Sequence, residues 1–187
     1  MALCLTMINN NYLADSETIS DSGGCCDFIP IKNYTDIGFK SFKNKNKAIV
    51  AYKNQKKLSK ADLAPRIMSN LCKIPWYYDP ELLKYWEPSE TTTGWGYITE
   101  LASLLPEDSK IPYKKIQDLV DKIWEYARLK FWDCHLCNIG YIKRNGRKQL
   151  VCIDTGRESF IPMVNAWGFC EPGPKCPYCL RYQCKCD

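Results

Sequence analysis

The residues of this chain whose types and spacing suit chemistry gather between positions 133 and 156. An acid, an imidazole and an amide fall in the run Asp133-Cys134-His135-Leu136-Cys137-Asn138, and a second acid ends the run Val151-Cys152-Ile153-Asp154 just before Thr155-Gly156. Carboxylates accept protons and, together with amide oxygens, are the hard donors that small divalent cations prefer. His135 is the only histidine in the sequence, and a lone histidine more often orients a loop than acts as a ligand or base. Soft donors cluster elsewhere, as the thiols of Cys170, Cys176, Cys179, Cys184 and Cys186.

These polar runs need elements to carry them. Pro112 opens a pattern in which Tyr113, Ile116, Leu119, Val120, Ile123, Trp124, Ala127 and Phe131 share one stripe, which predicts an amphipathic helix delivering the chain to Asp133. Beyond Asn138, the segments 139–142 and 149–153 flank Lys143-Arg144-Asn145-Gly146-Arg147-Lys148. Asn-Gly tolerates positive φ at both positions, so a tight hairpin is expected between Asn138 and Asp154. Upstream, 28–32 and 37–42 suit strands. Ala48, Ala51, Tyr52, Gln55 and Leu58 then recur at helical steps, with Asn44 or Asn46 placed to cap and Pro65 beyond the end. Residues 66–74 and 96–101 suit two further strands, joined by a proline-bounded, aromatic-rich connection over 78–90.

In this order, Asp133-x-His135-x-x-Asn138, the hairpin and Ile153-Asp154-Thr155-Gly156 resemble the catalytic and metal loops of the protein kinase and aminoglycoside phosphotransferase superfamily. There, an aspartate is followed five residues later by an asparagine, and a second aspartate ends the next strand ahead of a small residue and glycine. The resemblance implies that Asp133 accepts or orients the proton of an attacking hydroxyl, and that His135 supports the loop. It also implies that Asn138 and Asp154 hold Mg²⁺ or Mn²⁺ against the phosphates of ATP. Lys40, in Ile37-Gly38-Phe39-Lys40-Ser41-Phe42, stands where that superfamily places the strand lysine that touches the nucleotide phosphates. Glu100, ending Gly96-Tyr97-Ile98-Thr99-Glu100, stands where the hinge beside the adenine begins.

The implied fold is α+β, with a small antiparallel sheet lobe, a truncated helical lobe and a Cys-rich tail. Its divisions are an irregular arm over 1–26, a sheet lobe with one helix over 27–101, a truncated lobe with both loops over 102–165, and the tail over 166–187. Three departures from the superfamily's pattern stand out. No G-x-G-x-x-G precedes Lys40, the helix after it offers Gln55 rather than a glutamate as the lysine's partner, and thirty-one residues follow Gly156. Two functions therefore compete: a compact phosphotransferase acting on a protein or small-molecule hydroxyl, and a kinase-like fold kept for binding or assembly.

In the tail, Cys176, Cys179, Cys184 and Cys186 can close a tetrahedral Zn²⁺ site. Cys170 can replace one of them, and Cys134, Cys137 or Cys152 can contribute from the core. Disulfides and free thiols are the alternatives. A zinc-stapled tail carrying Lys175, Arg181, Tyr182 and Lys185 would suit nucleic acid as a further partner. A hydrophobic content of 45% with 25% charged residues is that of an ordinary globular protein. No run of about 18 uncharged apolar residues offers a membrane span. With no basic, apolar leader pattern, the expected compartment is the cytosol. The net charge of +5 owes much to the lysines between 40 and 60, a solvated helix face in the simplest account.

Overall fold

Alternating side chains and turn residues build the first sheet. The computed structural model describes residues 26–31, 34–42, 44–75, 93–105 and 109–160. Strand β1 (Asp27–Pro30) pairs antiparallel with β2 (Ile37–Phe42), β2 with β4 (Thr93–Glu100), and β4 with β3 (Cys72–Pro75), giving the order β1-β2-β4-β3. Glycine is required at 96, because a Cβ there would run into the Lys40 carbonyl oxygen and the Phe39 ring. Helix α1 (Lys45–Ser59) follows β2, and Asn44 is its cap: Asn44 Oδ1 accepts from the backbone N–H of Asn46 at 2.8 Å and of Lys47 at 3.2 Å. Phe42, Ala48, Ala51 and Tyr97 form a buried cluster, with Tyr52 edge-on to Tyr97 at a ring separation of 5.3 Å.

The expected strand over 66–74 is shorter in the structure. Only Cys72–Pro75 joins the ladder, while Ile67 makes a single bridge to Thr99. The cause is local. Ser69 Oγ accepts from the Ile98 N–H at 2.8 Å, taking a donor that a backbone carbonyl would use in a continuous ladder.

The described residues pack as two units, one of 26–52 with 67–101 and one of 53–66 with 102–160. The sequence-based division also falls at 101/102, but it counted 53–66 with the sheet lobe. Those residues pack with the later segment: Leu58, Leu63 and Ala64 join Ile116, Leu119, Ile123, Ala127, Phe131 and Ile139 in one core cluster.

In the second unit, β5 (Ser103–Leu104), β6 (Ile139–Arg144) and β7 (Arg147–Cys152) form an antiparallel sheet in that order. Asn145 (φ 48°) and Gly146 (φ 77°) make the expected two-residue turn. Helix α2 (Tyr113–Ala127) buries Ile116, Leu119, Ile123 and Ala127. Tyr113 and Trp124, expected on the same stripe, are exposed at its edges. The helix stops where Arg128 turns left-handed (φ 56°) and its N–H bonds the Trp124 carbonyl, so Phe131 reaches the core from the following loop, 5.5 Å from the Phe160 ring.

Among the described residues the fold is thus α+β, with two small antiparallel sheets and two α-helices. No helix of these residues is long and apolar enough to cross a membrane. The expectations for residues 1–25, the 78–90 connection and the Cys-rich tail lie outside the described residues.

Candidate active site

The buried Phe131 anchors the loop that leaves α2 in the core of the second unit. From there the N–H groups of Trp132 and Asp133 both donate to the Ser159 carbonyl oxygen, at 2.9 and 3.4 Å. A 3₁₀ turn over Leu136–Asn138 then folds the chain back, so that the amide of Asn138 returns to Asp133. Asn138 Nδ2 lies 2.9 Å from the Asp133 carbonyl oxygen, 3.0 Å from Asp133 Oδ2 and 2.9 Å from His135 Nε2. His135 Nε2 stands 3.6 Å from Asp133 Oδ2. Asn138 is buried, while the Asp133 side chain keeps 34% of its surface in solvent. The loop therefore holds a reachable carboxylate in a fixed orientation.

The second acid is tied to the same asparagine. As β7 ends, the N–H groups of Ile153 and Asp154 donate to the Asn138 carbonyl oxygen, at 2.9 and 3.5 Å. Asp154 Oδ1 accepts from the Gly156 N–H at 3.0 Å, and Oδ2 accepts from Ser159 Oγ at 2.9 Å. A Cβ at Gly156 would come 3.2 Å from Asp154 Oδ1, so the tight turn around this carboxylate favours glycine. Thr155, fully buried, accepts from Asn54 Nδ2 at its carbonyl and donates from Oγ1 to Gln55 Oε1 at 3.4 Å. Gln55 in turn donates to the Pro65 carbonyl at 3.1 Å.

Between the two acids in sequence lie Cys134 and Cys152, both buried, and the exposed Cys137. Burial, reinforced by the Asp133 charge, pushes the Cys134 thiol from 9.0 up to about 12. Cys134 is a packing residue, inert at neutral pH.

The structure brings Asp133, His135 and Asn138 into direct contact and links Asp154 to them through Asn138 and Ser159. Lys40 and Glu100 belong to the first unit. Lys40 is 5% exposed, with Nζ 5.9 Å from the Phe42 ring centre, and Glu100 is half-buried at the end of β4. Lys40 is thus a buried strand lysine rather than a solvated one. Cys170, Cys176, Cys179, Cys184 and Cys186 lie outside the described residues. Among the described residues, no group of three or more His, Cys, Asp or Glu side chains is placed to hold a metal. The Asp133, Asn138 and Asp154 set contains two acids and an amide.

Sequence reasoning missed Ser159, which serves both acids at once. Its only signal is a hydroxyl shortly after Asp154, and serines at such a distance are too common to single out. The Thr155 to Gln55 contact was also missed, although Gln55 stood on the inner stripe of α1 as a polar residue with no stated partner but the lysine. No protein-family model and no curated protein sequence matches the chain.

Proposed function

We propose that the protein is a compact, kinase-like phosphotransferase that uses ATP and Mg²⁺ or Mn²⁺ to phosphorylate a hydroxyl of a protein or small molecule. The observation that carries this reading is the double use of Asn138. Its side chain orients Asp133 and its backbone carbonyl receives Asp154, so two acids far apart in sequence are fixed to one residue.

The donor set suits a small hard cation. Asn138 turns Nδ2 toward Asp133, which leaves Oδ1 on the opposite side of the amide. Each carboxylate oxygen of Asp154 accepts one hydrogen bond from the chain and retains a further lone pair. Asn138 and Asp154 would hold the cation, which supplies charge neutralisation at the transferring phosphoryl group. Asp133, partly exposed and steadied by Asn138, holds the hydroxyl proton during attack. His135 fixes the loop around it.

Transfer of label from γ-labelled ATP, measured with Mg²⁺ or Mn²⁺ into a cell extract, tests this reading. Asp154→Ala and Asp133→Asn are each expected to abolish transfer, and equal signal from wild type and both variants would sink it. One observation favours a second reading, a binding or assembly module without catalysis: both oxygens of Asp154 are already engaged within the chain, as a purely structural acid would be. That module would show no label transfer, together with a large loss of thermal stability in Asp154→Ala.

Lys40 and Glu100 belong to the first unit, and their part in ATP binding is tested separately by substitution. The reading also includes a structural Zn²⁺ held by four of Cys170, Cys176, Cys179, Cys184 and Cys186, which elemental analysis of purified protein would detect at one equivalent.

A further inference from the structure

We infer that the tip of the β6–β7 hairpin is a docking surface for the phosphate backbone of a nucleic acid, a function independent of phosphotransfer. The tip reads Lys143-Arg144-Asn145-Gly146-Arg147-Lys148. The register sets Lys143 opposite Lys148 and Arg144 opposite Arg147. Directly opposed like charges work against an antiparallel ladder, so this arrangement is not one that folding alone favours. Lys143, Arg147 and Lys148 are exposed and make no ion pair among the described residues. Arg144 is half-buried on Asp62 at 3.1 Å, and Arg66 reaches the same carboxylate oxygen at 3.5 Å, so this acid is already matched.

The tip is also held in shape. Asn145 and Gly146 fix a tight turn, and Gln149 Nε2 donates to the Asp62 carbonyl at 2.8 Å, pinning the base of the hairpin to the loop after α1. A Cβ on Gly146 would meet nothing within 4 Å, so the turn points into open space. Alternation along the strands puts Lys143 and Lys148 on one face and Arg147 on the other.

The chemistry of the tip selects the partner. From Lys143 to Gln149 there is no apolar side chain. A protein partner would call for an apolar or aromatic anchor and few lysines, and stable seating on a membrane surface gains from apolar insertion. A polyphosphate backbone needs only the cations, and a two-stranded ribbon fits the major groove of a duplex.

The test uses the full chain and a labelled mixed-sequence DNA duplex, with anisotropy read from 50 to 300 mM KCl. Binding is expected, with log Kd rising linearly with log salt. The triple variant Lys143→Gln, Arg147→Gln, Lys148→Gln should weaken it by at least about tenfold and cut the slope by about 2 to 3, one phosphate contact per cation removed. Lys143→Arg with Lys148→Arg should retain it. Because the triple variant removes opposed charges, its melting temperature should not fall. No binding by wild type, an unchanged slope in the triple variant, or tighter binding to phosphatidylserine vesicles than to the duplex would each overturn the inference.

Discussion

Ser159 does at one position what the two loops need at two. Its carbonyl accepts from the Asp133 N–H and its hydroxyl donates to the Asp154 carboxylate, yet only the second contact depends on the side chain. Ser159→Ala should therefore leave the Asp133 loop in place and release one oxygen of Asp154. We expect a stability loss of about 1–2 kcal/mol by chemical denaturation, because a part-buried hydrogen bond to a carboxylate is removed. On the proposed phosphotransferase reading, the same variant should need more Mg²⁺ for half-maximal label transfer. The cysteines separate just as sharply. Iodoacetamide at pH 8 should modify Cys137 and spare Cys134 and Cys152 in the folded protein, and peptide mapping by mass spectrometry reads the difference.

At the scale of elements, stability rests on local chemistry that the sequence announces. Asn44→Ala should cost about 1 kcal/mol, because two N–H groups at the start of α1 lose their acceptor. Gly146→Val should cost more than a typical surface change and loosen the hairpin, since a β-branched residue resists φ 77°. Both are measurable as shifts in the denaturation midpoint. The hairpin and both helices were legible because their signals are local: Asn-Gly, a cap and a helical stripe. The 66–74 strand was not, because the hydroxyl of Ser69 interrupts a ladder that alternation alone would continue. The edges of the α2 stripe were misjudged for a similar reason. Periodicity marks a face but not its width, and Tyr113 and Trp124 fall outside the buried strip.

For the whole molecule, pH is the lever that tests the core. Cys134 holds its proton up to about 12 when folded and gives it up near 9 when unfolded. Between those values the unfolded state binds fewer protons, so the contribution of this thiol to stability is fully present below pH 9 and is lost as pH rises toward 12. Cys134→Ala should start less stable, from the cavity it leaves, but lose less between pH 9 and pH 11 than wild type in parallel melts. The candidate site was legible as far as residue types and order could take it. Asp133, His135, Asn138 and Asp154 are close together as their spacing suggested, while the atoms that hold them in place, on Ser159, Thr155 and Gln55, were not. Those contacts join residues up to 100 positions apart, a distance over which pattern carries no signal.

Asn138 fastens the second acid's loop with its main chain and meets the first acid with its side chain. A substitution can erase the latter and cannot touch the former. On the proposed phosphotransferase reading, Asn138→Ala should thus keep its scaffold and lose label transfer. That reading would make the variant a trap, able to retain a bound target long enough to be isolated with it.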